Sequence, residues 1–94
     1  MWSIAPPVLI AGAALSLALA APAAADNAGY LHELQASYPT VGTQQLLSEG
    51  NKVCSEIRGG MNATDAVAMV MRDIGVSVPA AGDIVSASVV HLGC

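Results

Sequence analysis

Met1–Ala25 contain no Asp, Glu, Lys, Arg or His. All seven acidic and all three basic residues stand at or after Asp26. The apolar share of 54% therefore averages over two unlike segments. The bases are few and scattered, Lys52, Arg58 and Arg72, and the formal net charge is −4. A negative domain without a basic patch repels phosphate backbones, so nucleic acid is excluded as an expected partner. Anionic lipid surfaces are disfavoured for the same reason. No alternating apolar–polar run of strand length is present, nor any internal repeat after Ala25. There is no Cys-x-x-Cys, no twin arginine, and no serine framed by the glycines of a nucleophile elbow.

The uncharged N-terminal segment holds an apolar run, Val8–Ala21, VLIAGAALSLALAA. A membrane-spanning helix wants roughly 20 apolar residues, whereas the apolar core of a signal peptide needs about 7–15. Pro22 breaks the run, and Ala23-Ala24-Ala25 offers the small side chains that signal peptidase admits. Cleavage between Ala25 and Asp26 is expected. The division is then a signal peptide over 1–25 and a helical domain over 26–94, secreted or held in the cell envelope and off the membrane after cleavage. The competing reading is an uncleaved anchor. No cysteine directly follows the apolar run, which excludes a lipid-modified terminus.

Beyond Ala25 the spacing of apolar residues predicts four helices. The first covers Asn27–Ser37, capped by Asp26 or Asn27, with Tyr30, Leu31, Leu34 and Tyr38 on one face. The second covers Gln44–Arg58 with Thr43 as cap. Leu46, Leu47, Gly50, Val53, Cys54 and Ile57 share its apolar arc, while Glu49, Lys52 and Glu56 fall on the solvated side. The third covers Ala63–Ile74, capped by Asn62, with Ala63, Val67, Val70, Met71 and Ile74 facing inward. The fourth covers Val78–Leu92, capped by Ser77, with Ala81, Ile84, Val85, Ser88 and Leu92 inward. Short connections predict roughly antiparallel neighbours. The expected fold is all-α, a small bundle of about four short helices.

Cys54 and Cys94 are the only cysteines. An even count on an exported chain this small points to one disulfide. Domains below about 70–80 residues rarely draw enough stability from one core. Closing a loop of about 40 residues is worth roughly 4 kcal/mol in the chain-entropy picture. Cys54 lies on the apolar arc of its helix, where a structural half-cystine belongs. A zinc site would need four ligands, and adding His32 and His91 produces no known spacing.

Gly50-Asn-Lys-Val-Cys54-Ser-Glu-Ile57-Arg-Gly-Gly60 resembles the central motif of the domain-of-unknown-function family 732, small secreted proteins of actinobacteria, chiefly mycobacteria. Tyr30-Leu31-His-Glu-Leu34 resembles that family's first helix, and Cys94 its second cysteine. The resemblance spans Asp26–Cys94. Two features depart from the pattern: Tyr30 stands where phenylalanine is usual, and no residue follows Cys94. The resemblance implies a compact helical fold with the bridge and no established activity.

Gly50 costs about 1 kcal/mol inside a helix relative to alanine, so a close contact, with Tyr30, is expected to compensate. His32 is expected in solvent and His91 at the C-terminal end of its helix dipole. Met69 and Val90 point to the polar sides of their helices and, if adjacent, would form a small contact surface. No catalytic, cofactor or metal residues are assigned. The expected function is a non-catalytic interaction protein, monomeric, with an unidentified protein partner. The alternatives are a carrier of a small apolar ligand between helices and a small hydrolase using His32 or His91.

Overall fold

A computed structural model describes residues 26–94. The signal-peptide reading of 1–25, Ala25 included, lies outside the described residues. Within them are four α-helices and no strand: α1 (Asn27–Ser37), α2 (Thr43–Arg58), α3 (Ala63–Ile74) and α4 (Val78–Leu92).

Local chemistry sets the ends. The Asp26 carboxylate accepts from the Gly29 amide at 2.9 Å, and Asn62 accepts from the Asp65 amide at 2.8 Å. The Ser77 hydroxyl accepts from the Ala80 amide at 3.3 Å. Each of these side chains satisfies a donor that the first helical turn leaves free. Gly75 and Gly93 end α3 and α4 in the left-handed conformation, where a side chain would be strained. The start of α2 differs from expectation. Thr43 is its first helical residue, and the cap is Gly42, which has no side chain to offer. The Thr43 hydroxyl instead accepts from Gln35 Nε2 at 2.7 Å, which ties α2 to α1.

The helices are organised around α4, which packs against α1, α2 and α3. α2 also packs against α1 and α3, while α1 and α3 do not meet. α4 is accordingly the most thoroughly buried element, losing Ala80, Ala81, Ile84, Val85, Ala87, Ser88 and Leu92 from solvent. α1 is firmly seated rather than peripheral: Tyr30 and Leu34 are fully buried. The connection between α3 and α4 is not antiparallel, since the chain bends by 116° there. A three-residue link ending in the Ser77 cap lets α4 cross beneath its neighbours instead of running back along α3. No single described helix is long and apolar enough to cross a membrane.

α3 presents a different face from the expected one. Ala66, Met69 and Val70 are buried, Ala63 is exposed, and Val67, Met71 and Ile74 are half-buried. A helix wedged between two others must bury both flanks, and the arc facing α2 and α4 together is centred near Ala66 and Val70. Met69 is therefore core, with 5% of its surface exposed. Its flexible thioether chain fills the flank nearest the neighbouring helices.

Gly50 is fully enclosed in α2. A Cβ built there would lie 2.6 Å from the Tyr30 hydroxyl oxygen and 2.8 Å from Leu92 Cδ1. The missing side chain is what lets the phenol pass across α2, and its hydroxyl donates to the Leu46 carbonyl at 2.6 Å. Gly82 of α4 is the contrasting case, since a Cβ there meets nothing within 4 Å. Gly82→Ala should therefore stabilise the protein by up to about 1 kcal/mol through helix propensity. Gly50→Ala should destabilise it by about 1–3 kcal/mol in spite of the same gain, because the phenol must move. Denaturant titration of the two variants checks the pair, and equal signs for both would contradict the close-approach account.

Candidate functional site

Three polar constellations decorate the described bundle. The first closes the two ends of the domain. The Asp26 amide donates to the His91 carbonyl at 2.8 Å, and His91 Nε2 lies 3.1 Å from Glu33 Oε1. His91 thus stands in the last turn of α4, as expected, and joins that turn to α1. His32 is exposed, also as expected. The two histidines serve no common cleft. The second constellation is Tyr38 of the α1–α2 loop, whose hydroxyl donates to Asp83 of α4. Holding that proton in the bond raises the phenol above its ordinary range.

The third lies between α2 and α3 and escaped the sequence reading. Glu49, expected on a solvated face, is 6% exposed, and its Oε2 is buried without a hydrogen-bond partner. Its carboxyl group meets that of Asp73 from α3. Asp73 in turn accepts from Lys52 Nζ at 2.7 Å. Burial, then the Asp73 carboxylate, push Glu49 up to about 7, with Lys52 pulling weakly the other way. Asp73 is held below the usual range, first by Lys52 and then by the Glu49 hydrogen bond. The signal was available: Glu49 is three residues after Leu46 and four before Val53, spacing that places all three on one side of α2.

The core carries a fourth arrangement, which is structural. Tyr30 is fully buried, and burial pushes its hydroxyl up to about 12, so the phenol stays a donor to Leu46. The Ser88 hydroxyl donates to the Ile84 carbonyl at 2.7 Å within α4 and is satisfied there. Cys54 and Cys94 are bonded, with Cα atoms 5.0 Å apart. The bridge ties the C-terminal part of α2 to the residue after the α4 cap.

Residues 25–94 match the family described as a protein of unknown function, DUF732. The chain belongs to that family. No curated protein and no solved structure matches it. The family assignment rests on the whole helical domain, and it places the buried Tyr30 contact, the Gly50 crossing and the Cys54–Cys94 bridge within one DUF732 domain.

The pairing of Met69 with Val90 does not exist. Val90 is 73% exposed on α4, as expected, but Met69 is interior, so the two cannot share a surface. Among the described residues the large exposed apolar side chains of this DUF732 domain are Val78, Val89 and Val90, all on α4. Among the described residues no group of three or more His, Cys, Asp or Glu is placed to hold a metal ion.

The bridge yields a direct prediction. Cys54→Ser should lose up to roughly 4 kcal/mol from the loop constraint, and it also leaves a hydroxyl in an apolar setting. The variant should be largely unfolded or rapidly proteolysed. Thermal melts of oxidised and reduced wild-type protein check this, and coincident curves would contradict it.

Proposed function

We propose that this DUF732 protein is exported, cleaved between Ala25 and Asp26, and acts outside the cell or in its envelope as a non-catalytic interaction module. The observation that carries the reading is an interior filled by its own side chains. Gly50, the one gap in the α2 face, is occupied by Tyr30 and Leu92. Among the described residues no pocket opens between the helices. That speaks for recognition through the outer surface rather than enclosure of a ligand. The histidines are dispersed, His91 against Glu33 and His32 in solvent, which weighs against the hydrolase. A disulfide in a domain this small suits an oxidising compartment.

Recognition by such a domain falls to its surface, and the valines of α4 are its exposed large apolar side chains. A partner that covers Val90 would remove it from water and gain accordingly.

Two measurements test the proposal. The mass of the protein recovered from culture medium should correspond to a chain beginning at Asp26. A dominant species that keeps Met1–Ala25 in the membrane fraction would refute the processing. For the interaction, a partner isolated on the wild-type protein should bind Val90→Asp at least about tenfold more weakly, a loss of about 1.4 kcal/mol. Because Val90 is exposed, the variant's melting temperature should stay within the small range of surface substitutions. Undiminished binding by that variant would remove the valine from the contact, and hydrolytic turnover lost on His91→Ala would replace the reading with an enzyme.

A further inference from the structure

We propose that Glu49 and Asp73 share one proton across the α2–α3 interface, a latch that holds the two helices together in mildly acidic surroundings and loosens above neutral pH. Three observations carry it. Glu49 is more than nine-tenths buried, and its Oε2 has no partner, so an ionised carboxylate there would be poorly solvated. Its carboxyl group reaches Asp73, a second carboxyl group on a different helix. Two carboxylates at one site do not readily ionise together, and a proton between them turns repulsion into a hydrogen bond. Asp73 is already committed as the anion by the 2.7 Å contact with Lys52. The shared proton therefore rides on Glu49, which donates to Asp73.

The surrounding charges agree with that assignment. On α2 itself, Lys52 favours the ionised form of Glu49 only weakly, because its ammonium is engaged with Asp73. Glu56 acts on Lys52 rather than on Glu49. From α3, Arg72 stabilises the Asp73 anion, which strengthens it as the acceptor. From α1, Tyr30 faces Glu49 and remains a neutral donor bonded to Leu46. The other ionisable groups of α1 and α4 are directed elsewhere: Glu33 meets His91, Asp83 meets Tyr38, and His32 is in solvent.

The sign follows from linkage. Glu49 is raised, to about 7, so its contribution to stability is complete below the ordinary glutamate range and is lost as pH rises through about 7. Asp73 is lowered, so its contribution is present above the ordinary aspartate range and is lost only in stronger acid. Stability should peak at roughly pH 4–5 and decline towards the alkaline side. On deprotonation two carboxylates face one ammonium at the seam beside Met69 and Val70.

The experiment is a carboxyl-carbon NMR titration of the oxidised protein labelled in glutamate, with thermal melts from about pH 5 to about pH 8. Glu49 should titrate near neutrality, and the melting temperature should fall by roughly 10 °C over that range. Asp73→Asn should move the Glu49 midpoint down, because the neighbouring charge is gone. Lys52→Met should move it up. Glu49→Gln should flatten the melting profile, since the amide imitates the protonated acid. A Glu49 midpoint in the ordinary carboxylate range, or one indifferent to both neighbours, would overturn the latch. The wild-type titration decides the question even if Glu49→Gln fails to fold.

Discussion

α4 is the one helix in contact with the other three, and the arrangement of the domain follows from burying it. An element covered on so many sides cannot afford a wide polar face. Val78–Leu92 accordingly has only Asp83 and His91 as ionisable residues, and both are anchored to other elements, Asp83 to Tyr38 and His91 to Glu33. The small residues Ala80, Ala81, Ala87 and Ser88 let the neighbouring helices approach α4 closely. Its length sets the span over which α1, α2 and α3 are gathered. The disulfide fixes the far end of this arrangement, fastening the residue after the α4 cap to the C-terminal part of α2. The half-buried Cys94 is thereby held against the core.

The contact between α1 and α2 is held by complementary shapes rather than by charge. The Tyr30 ring crosses α2 at Gly50, and its hydroxyl finds a carbonyl of the same helix, so a large aromatic side chain is buried with its polar tip satisfied. The contact between α2 and α3 is of another kind. Glu49, Asp73 and Lys52 place three ionisable groups at a seam that is otherwise apolar. The first contact thus turns on a phenol that stays a neutral donor, the second on carboxyl groups and an ammonium. Membership of DUF732 spans both contacts, since the match runs over residues 25–94.

Much of this architecture was legible without coordinates. The four helices lie where apolar spacing put them, and the caps at Asp26, Asn62 and Ser77 act as their residue types require. The inner face of α4 and the Tyr30–Gly50 contact were also readable, the latter because a glycine inside an apolar arc needs a reason. Where the structure departs from the expected pattern, a neighbouring helix is the cause. Thr43 resembles a cap, but its hydroxyl is taken by Gln35, a residue of another helix. Met69 looked exposed because a single helical projection assumes one buried side, while α3 has two neighbours.

The amino-acid sequence by itself determined the all-α class, the caps of α1, α3 and α4, the pairing of its only two cysteines and the resemblance to DUF732. These rest on short-range geometry, on the even cysteine count and on motif order, none of which needs a partner helix to be known. Tertiary structure alone decided how the helices turn against one another, which flank of α3 is interior, and that Glu49 is buried against Asp73. Those outcomes depend on which surfaces meet across the chain. A carboxylate is solvated by default, and only the approach of a second helix takes its water away.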